Sequence, residues 1–366
     1  MRLLILSSNN GQGHNTAAMA LVEAAEARGA MAVVIDSMLF ESPAKSELYE
    51  KAHIEGALHA PRLFETGNHL AERMEGAGIR SPEYHATSRH AEAALRFIQG
   101  NAFDCIAATH IFAAQLLTHL RPALGDAVKT AFIPTDYTYV PFTSETFLSV
   151  YFLPHRALLE QYRKSAPGRN YVVSGIPTSR RRLQRMERAE ARAALGLPQD
   201  VPVALIMTGS MGFGSVQPLA EALLAQSPPE TRILVLCGRN DALMRALRQA
   251  FPDDARVQPL AFTDQIGLYF SAADVLLSKP GGLSSTEAAV AEIPLVHTTP
   301  IPGWEEDNVR FFTDAGLSLS GNTPEEMAAA AAHLLRDPDA AAEMRRRQRA
   351  EINKEAAADI IRALDG

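Results

Sequence analysis

The chain has 366 residues, of which 47% are hydrophobic and 21% charged, a composition typical of a soluble globular protein with room for two domains. Its net charge of −7 argues against a protein whose main work is binding nucleic acid. Cys105 and Cys237 are the two cysteines, and each stands in a short apolar run, which argues against a disulfide scaffold or a cysteine-based zinc site and fits a reducing cytosol.

The first half alternates between strand and helix patterns. Residues 3–6 form a continuous apolar run, typical of a parallel strand buried on both faces. A polar turn over 7–13 follows, and then a helix with apolar residues at i, i+3, i+4 and i+7 that Gly29 ends. Further strands are predicted over 31–35, 105–108, 130–133, 150–153 and 171–173. The stretch 42–100 has weak strand signals and several short helical ones, and we interpret it as an insertion.

The pattern restarts near Val201. Strands are predicted over 203–207, 233–236, 275–277 and 295–297, and a glycine-rich turn over 208–214. This alternation predicts an α/β protein with two Rossmann-like doubly wound domains facing a cleft. We place an acceptor-binding domain at 1–170, a donor-binding domain at 171–345, and a C-terminal helix at 346–366 that packs back towards the first domain.

Two further features bear on solubility and contacts. The N-terminal apolar run is too short for a secretory signal, and no segment reaches the roughly 18 apolar residues of a membrane span. We therefore expect a cytoplasmic protein that contacts a membrane only as a peripheral protein on its inner face. The arginine-rich segment 180–192 contains Glu187 and Glu190 as well, which favours a solvated helix; a phosphate or anionic-surface contact is the alternative.

Gly11-Gln12-Gly13-His14 follows the first strand and resembles the beginning of a dinucleotide fingerprint, but Thr16 stands where the third glycine belongs. His14 is expected at a helix N-terminus and at the carboxyl end of a parallel strand, where such sheets bind ligands. The helix dipole there lowers a histidine pKa and favours a neutral imidazole that can take a proton. A capping or turn histidine is the structural alternative. Asp136 follows another strand of this half, where it would assist a histidine base or cap the next segment.

Residues 279–287, Lys-Pro-Gly-Gly-Leu-Ser-Ser-Thr-Glu, give the strongest local signal. Two glycines let the backbone approach a ligand closely, and residues 284–286 begin a helix whose free N–H groups suit a diphosphate. Glu287 lies one turn inside, where its carboxylate would accept two ribose hydroxyl protons. An ordinary helix start with an N-cap serine is the alternative. The acids and amide of 305–308 suit a hydroxyl-rich ligand or a solvated first turn.

Two patterns that resemble metal sites are interpreted structurally. Asp337-Pro338-Asp339 lies between two helical stretches and predicts a turn and an N-cap. His85 and His90 are five residues apart and have no third ligand near them in sequence. We therefore expect no metal ligand set and no cofactor.

Six short motifs follow one another along the chain: Gly11-x-Gly13-His14; Thr135-Asp136-Tyr137; Gly175-Ile176-Pro177; Cys237-Gly238-Arg239-Asn240; Lys279-Pro280-Gly281-Gly282 with Thr286-Glu287-Ala288; and Pro302-Gly303 with Asn308. In this combination, over nearly the whole chain, they resemble the monogalactosyldiacylglycerol synthases and processive diacylglycerol glucosyltransferases, relatives of the glycosyltransferase that makes lipid II. The resemblance implies a GT-B fold. It also implies inverting, metal-independent transfer of a hexose from a UDP-sugar to a hydroxyl acceptor, diacylglycerol or a related lipid.

The resemblance also implies roles for individual residues. His14 corresponds to the catalytic base with Asp136 nearby, Glu287 to the ribose-binding residue, and Phe262 to the residue beside the uracil. The expected donor-nucleotide contacts are Gly209, Ser210, Gly238, Phe262, Gly281, Gly282, Ser284, Thr286 and Glu287. The expected donor-sugar contacts are Gly13, Glu305, Glu306 and Asn308. The family usually has glutamine where Trp304 stands, and an indole cannot accept a hydrogen bond from a sugar hydroxyl, so the sequence leaves the sugar open.

Other functions stay open on the sequence alone. An enzyme like UDP-N-acetylglucosamine 2-epimerase shares this architecture and would isomerise its donor without an acceptor. A glycosyltransferase with a soluble acceptor is a second alternative, and a non-catalytic nucleotide-sugar sensor is a third. A Rossmann oxidoreductase is disfavoured because the dinucleotide fingerprint is incomplete.

Overall fold

A computed structural model describes residues 1–8, 12–40, 70–71, 73–207, 215–303 and 305–366. These residues form two compact units. The first comprises Met1–Ser179 and Asn353–Gly366 with a short segment beginning at Ile301, and the second comprises Arg180–Pro300 and Glu305–Ile352. Gly11, Gly209, Ser210, Trp304 and positions 42–69 of the interpreted insertion lie outside the described residues.

The first unit contains a six-stranded parallel sheet in the order β2-β1-β3-β4-β5-β6. Its strands are β1 (Arg2–Ser7), β2 (Met31–Asp36), β3 (Cys105–Ala108), β4 (Lys129–Phe132), β5 (Val150–Leu153) and β6 (Tyr171–Val173). Its helices up to β6 are α1 (Gln12–Glu26), α2 (Pro82–Ser88), α3 (Ala91–Asn101), α4 (Ile111–Leu124) and α5 (Leu159–Ser165). Short 3-10 turns lie at Ser37–Phe40, Thr143–Glu145 and Arg156–Leu158.

The second unit repeats this plan with the order β12-β11-β10-β7-β8-β9. Its strands are β7 (Val203–Met207), β8 (Arg232–Leu236), β9 (Val257–Leu260), β10 (Val275–Ser278), β11 (Leu295–His297) and β12 (Leu319–Ser320). Its helices are α6 (Arg188–Ala194), α7 (Val216–Gln226), α8 (Asp241–Ala250), α9 (Ile266–Ala272), α10 (Gly282–Val290), α11 (Glu306–Asp314), α12 (Pro324–Arg336) and α13 (Pro338–Glu351).

The last helix, α14 (Ala356–Asp365), belongs to the first unit. Its residues Ile360 and Ile361 are fully buried in the same core cluster as Leu3 and Ile5 of β1. Gly175, in the predicted Gly-Ile-Pro motif, has φ +96°, and a Cβ added there would lie 3.1 Å from the Cβ of Ala356. This glycine is therefore explained by its backbone conformation and by the close approach of α14.

Strand β1 shows why the first sheet is covered on both faces. Leu3 and Ile5 point to the core that contains α1 and α14. Leu4 and Leu6 point to the opposite core, which contains residues of α3 and α4 such as Ile98. Alternate side chains of a strand point to opposite faces, so a continuous apolar run fits a sheet with helices on both sides. The predicted doubly wound architecture is confirmed.

In each sheet the strand order reverses at one place. In the first sheet β1 pairs with β2 on one side and β3 on the other, and in the second β7 pairs with β8 and β10. Ligands bind at the carboxyl ends of strands beside such a reversal. The segments after β1, β3 and β10 are therefore the places in which a functional site is expected.

Several local signals are confirmed. Gly29 has φ +75° and follows α1, as expected of a residue that ends a helix. Asp337 caps α13, because its Oδ1 accepts hydrogen bonds from the backbone N–H groups of Asp339 and Ala340 at 3.1 and 3.0 Å. Both cysteines are free and buried. Within the described ranges, no helix combines the length and apolar character needed to cross a bilayer.

The arginine-rich segment differs from the predicted solvated helix. Helix α6 is short, and Arg192 within it is fully buried. Its guanidinium donates to Asp274 Oδ2 at 2.7 Å and to the carbonyls of Val201 and Ala272 at 2.8 and 3.0 Å. Burial lowers the Arg192 pKa, and Asp274 opposes that effect. Arg181, Arg185 and Arg188 are exposed as predicted. The prediction was wrong for Arg192, because its acceptors come from other segments, which a local charge pattern does not reveal.

Candidate functional site

His14 lies in the first turn of α1, directly after β1 at the reversal point of the first sheet. Its Nδ1 is 2.9 Å from the carbonyl oxygen of Thr109, the residue that follows β3, and 3.0 Å from Thr135 Oγ1. A carbonyl oxygen can only accept, so Nδ1 carries the proton and donates it. In the neutral ring Nε2 then keeps its lone pair and can take a proton from a ligand.

The electrostatic surroundings of His14 favour this neutral form. Burial lowers the His14 pKa below its ordinary value of 6.5, while Asp136 and the hydrogen bond to Thr109 raise it. The ring is therefore neutral near pH 7, and Asp136 stabilises the imidazolium that proton uptake would create. The structure thus brings together the two residues that the sequence assigned to catalysis.

A second histidine, His110, completes this cluster. It is the N-cap of α4, where its Nδ1 accepts a hydrogen bond from the N–H of Phe112 at 3.3 Å. Its ring packs edge-on against His14, with ring centroids 4.7 Å apart. His110 was not predicted as a site residue, although it follows a buried strand just as His14 does.

The second unit places the Gly-Gly turn at the N-terminus of α10, directly after β10. Gly281 is the N-cap and supplies no side-chain cap, so the first N–H groups of the helix have no capping side chain. Ser284 is partly exposed, whereas Ser285 and Thr286 are fully buried. The Thr286 hydroxyl donates to the Gly282 carbonyl at 2.7 Å.

Lys279 adds a cation beside this turn. Its ammonium forms an ion pair with Glu305, which is 4% exposed. A Cβ at Gly281 would lie 3.2 Å from Lys279 Nζ, so glycine lets the ion pair sit against the turn. Asn308, fully buried in α11, donates from Nδ2 to the Pro280 carbonyl at 3.0 Å. The structure therefore connects Glu305 and Asn308 to the Gly-Gly turn, while Glu306 is exposed.

Glu287 lies one turn into α10 and is 2% exposed. Its Oε1 is 3.1 Å from Arg182 Nε, yet this oxygen has no hydrogen-bond partner among the residues that the structure describes. Burial raises the Glu287 pKa, and Arg182 opposes that effect. The Arg182 charge offsets part of the cost of this burial, and a ligand hydroxyl group would add a well-aligned hydrogen-bond donor.

His297, at the end of β11, contacts the buried side of α10. Its Nε2 is 2.9 Å from Ser285 Oγ and its Nδ1 is 3.2 Å from Ser318 Oγ. The ring is fully buried and packs against Phe312, with ring centroids 5.4 Å apart. Burial lowers the His297 pKa to about 3, so this imidazole stays neutral and links the helix to the sheet.

The remaining predicted contacts lie after β8 and β9. Gly238 has φ +61°, a left-handed conformation that favours glycine, in the turn between β8 and α8. Phe262 follows β9 and is 55% exposed, and the Arg239 guanidinium lies 5.4 Å from its ring centroid. An exposed aromatic ring beside a guanidinium offers a flat surface on which a base can stack.

The sequence did not reveal every residue of these sites. Lys279 and Arg182 lie in segments 279–287 and 180–192, but neither residue was predicted to have a role of its own. His297 was predicted only as the last residue of a strand. Helix α1 begins at Gln12, inside the turn predicted over 7–13, so Gly13 lies within the helix. Among the side chains that the structure describes, no group of three or more His, Cys, Asp or Glu is arranged to hold a metal ion.

Comparison with known proteins gives one family match and full-length relatives. Residues 203–363 match the glycosyltransferase family 28 C-terminal domain. The chain is 26% identical over 345 residues to a processive diacylglycerol beta-glucosyltransferase of Bacillus pumilus (strain SAFR-032), covering 92% of this chain and 88% of the relative.

Two solved structures resemble the fold. MurG of Acinetobacter baumannii has a TM-score of 0.65 and 17% identity, covering 100% of this chain and 99% of that one. The spinosyn rhamnosyltransferase SpnG complexed with thymidine diphosphate has a TM-score of 0.66 and 17% identity, covering 100% of both chains. These likenesses confirm the predicted GT-B fold class of two Rossmann-like α/β domains.

Proposed function

We propose that this chain, a glycosyltransferase homologous to the processive diacylglycerol beta-glucosyltransferases, transfers a hexose from a UDP-sugar to a hydroxyl group of diacylglycerol or a related lipid. The observation that carries the proposal is the N-terminus of α10. There the Gly281 turn, Lys279 and the enclosed Glu287 offer partners for both the diphosphate and the ribose of a nucleotide.

The donor nucleotide would bind the second unit. Uncapped N–H groups at a helix N-terminus attract a diphosphate, each exposed dipole contributing roughly 0.3–1 kcal/mol and about 2 kcal/mol when partly buried. Lys279, paired with Glu305, adds an ammonium group beside them. Glu287 would accept hydrogen bonds from the ribose hydroxyls, and Phe262 would stack on the base.

The acceptor hydroxyl would be activated in the first unit. His14 Nε2 takes the hydroxyl proton, the acceptor oxygen bonds to the anomeric carbon, and the bond from that carbon to the UDP oxygen breaks. Because attack comes from the face opposite UDP, the configuration inverts. Asp136 stabilises the resulting imidazolium, and the Thr109 carbonyl keeps the ring oriented.

The leaving group needs stabilisation as its negative charge develops. The α10 N–H groups and Lys279 are fixed before the reaction, so they supply this stabilisation without reorganisation. We propose that these groups suffice and that transfer needs neither a metal ion nor a cofactor. Pairing with Glu305 holds Lys279 in place and leaves the ammonium able to donate further hydrogen bonds.

A lipid acceptor is supported by the names of the relatives, which match over most of their length. The test is to incubate the protein with radiolabelled UDP-glucose, UDP-galactose or UDP-N-acetylglucosamine, together with either a lipid extract or a soluble metabolite fraction. The His14→Ala protein serves as the matched control. We expect label from one donor to enter the lipid phase only with the wild-type protein.

Two results would contradict this proposal. Label that enters only the soluble fraction would show a soluble acceptor. An isomer of the UDP-sugar that accumulates without any acceptor would show an epimerase.

A further inference from the structure

The arginine-rich segment contributes one side chain to the donor site. Arg182 Nε lies 3.1 Å from Glu287 Oε1, and the two side chains are 32% and 3% exposed. Glu287 projects from α10, whereas Arg182 is more than 100 positions earlier in the chain. The carboxylate that the proposed function assigns to ribose binding is therefore paired with a cation from a distant segment.

The backbone around Arg182 is fixed by α9. The N–H of Gly267 donates to the Arg182 carbonyl at 3.0 Å, and the N–H of Met186 donates to Ser271 Oγ at 3.2 Å. A Cβ at Gly267 would lie 2.5 Å from the Gln184 carbonyl oxygen, so only glycine permits this approach. Arg182 therefore extends from a docked segment and not from a solvated helix.

Other charged or titratable groups near α10 are engaged elsewhere. From the loop after β10, Lys279 pairs with Glu305; from β11, the neutral His297 contacts Ser285. Helix α13 packs against α10, and its Arg349 pairs with Glu292 while Arg347 pairs with Glu343. Among the described residues, Arg182 is the cation within ion-pair distance of Glu287.

We infer that Arg182 is a positioning residue for nucleotide binding: it keeps the Glu287 carboxylate ionised and oriented so that both ribose hydroxyls can donate to it. This inference rests on the proposed function. A carboxylate only accepts hydrogen bonds, whereas a protonated carboxyl must donate one and is poorly matched to a pair of hydroxyl donors.

The physical reason is the balance between burial and the ion pair. Burial raises the Glu287 pKa above its ordinary value, and Arg182 lowers it. Loss of Arg182 would leave burial unopposed, so the pKa would rise further and protonation would begin at a higher pH. UDP binding would then weaken towards acidic pH, and the weakening would begin at a higher pH than in the wild-type protein.

The test is calorimetric titration of UDP between pH 5.5 and 8.5 for wild type, Arg182→Gln, Arg182→Lys and the control Arg185→Gln. Arg185 is an exposed arginine of the same segment. We expect Arg182→Gln to lose about tenfold in affinity at the acidic end for each unit by which the Glu287 pKa rises, with a smaller loss at the alkaline end. Arg182→Lys should retain most of the wild-type profile, and Arg185→Gln all of it.

Arg182→Gln alone leaves the buried Glu287 carboxylate without its ion-pair partner and can impair folding. The double variant Arg182→Gln/Glu287→Gln removes both charges, so it allows the test even in that case. It should bind UDP weakly and without this pH dependence. An Arg182→Gln profile parallel to wild type, or an Arg182→Lys profile like that of Arg182→Gln, would overturn the inference while leaving the proposed function intact. Absence of UDP binding by the wild-type protein at every pH would overturn both.

Discussion

The two reversal points of this molecule share one backbone plan and carry opposite chemistry. Each follows the carboxyl end of a central parallel strand. At the first, His14 is neutral, oriented by a carbonyl oxygen and accompanied by Asp136. At the second, Lys279 is paired with Glu305 and Glu287 with Arg182, around a helix N-terminus that has no capping side chain. The same topology thus positions the proposed proton acceptor in one unit and the proposed anion-binding groups in the other.

Under the proposed function, the strand order determines where the ligands bind, and the side chains determine the chemistry at each position. A histidine that takes a proton must be neutral, and burial achieves that in the first unit. A diphosphate needs fixed positive groups, and in the proposed donor site these are the α10 N-terminus and Lys279. Substitutions in one unit should therefore impair proton transfer or donor binding separately.

The largest expected effect is on proton transfer. A positioned base contributes roughly 10²–10⁴-fold, so His14→Ala should lower turnover by about that factor. Asp136→Asn should also be slow, since the imidazolium would lose its carboxylate partner. Initial rates of sugar transfer measure both, with His333→Ala, an exposed histidine of α12, as the unaffected control.

Normal transfer by both the His14 and the Asp136 variants would place the acceptor site elsewhere. If His14→Ala transfers sugar at a nearly normal rate while Asp136→Asn is inactive, Asp136 and not His14 is the base.

The buried His297 of the second unit should affect stability and not proton transfer. The His297 pKa falls from 6.5 to about 3 on folding, so protonation favours the unfolded chain. Its contribution to stability is complete above pH 6.5 and is lost as the pH falls towards 3, by up to about 1.4 kcal/mol per pH unit. Urea unfolding should therefore show a steeper acidic decline for wild type than for His297→Gln. Parallel curves would contradict this account of His297.

The donor site should show an intermediate effect. Glu287→Gln replaces a hydrogen-bonded charge, so the affinity for UDP should fall by about 1–3 kcal/mol. Calorimetry measures this loss, and Glu325→Gln, an exposed acid in the first turn of α12, is the matched control. A Glu287→Gln protein with wild-type affinity would remove Glu287 from the donor site.

The smallest expected effect is that of a chelator. If the α10 N-terminus and Lys279 stabilise the leaving diphosphate, excess EDTA should leave the rate of transfer unchanged. A rate that falls in EDTA and recovers with manganese or magnesium would show that the leaving group is stabilised by a metal ion.

Much of the fold could be predicted because the signals are local. The apolar run of β1, the stop at Gly29 and the cap at Asp337 each depend on a few neighbouring residues. The positions of His14 and Glu287 were also predictable, because each lies in the first two turns of a helix that follows a strand, within a family-like motif. Their placement at reversal points follows from strand order, which the structure supplies.

The partners of the site residues could not be predicted in the same way. Arg182 reaches Glu287 because α9 holds the backbone of the segment that contains Arg182. Without that contact, a pattern of arginines predicts only a solvent-exposed segment. Likewise, the pairing of Lys279 with Glu305 depends on two loops that follow different strands. Such contacts join segments far apart in sequence, and local periodicity carries no information about them.

The central proposal is that the first unit activates the acceptor and the second unit binds the donor nucleotide. Its most direct test is the titration of UDP into the His14→Ala protein. We expect wild-type affinity for UDP together with turnover lowered by about 10²–10⁴-fold, because the proposed role of His14 is on the acceptor and not on the nucleotide. Loss of UDP affinity in parallel with turnover, in a protein that remains folded, would contradict it.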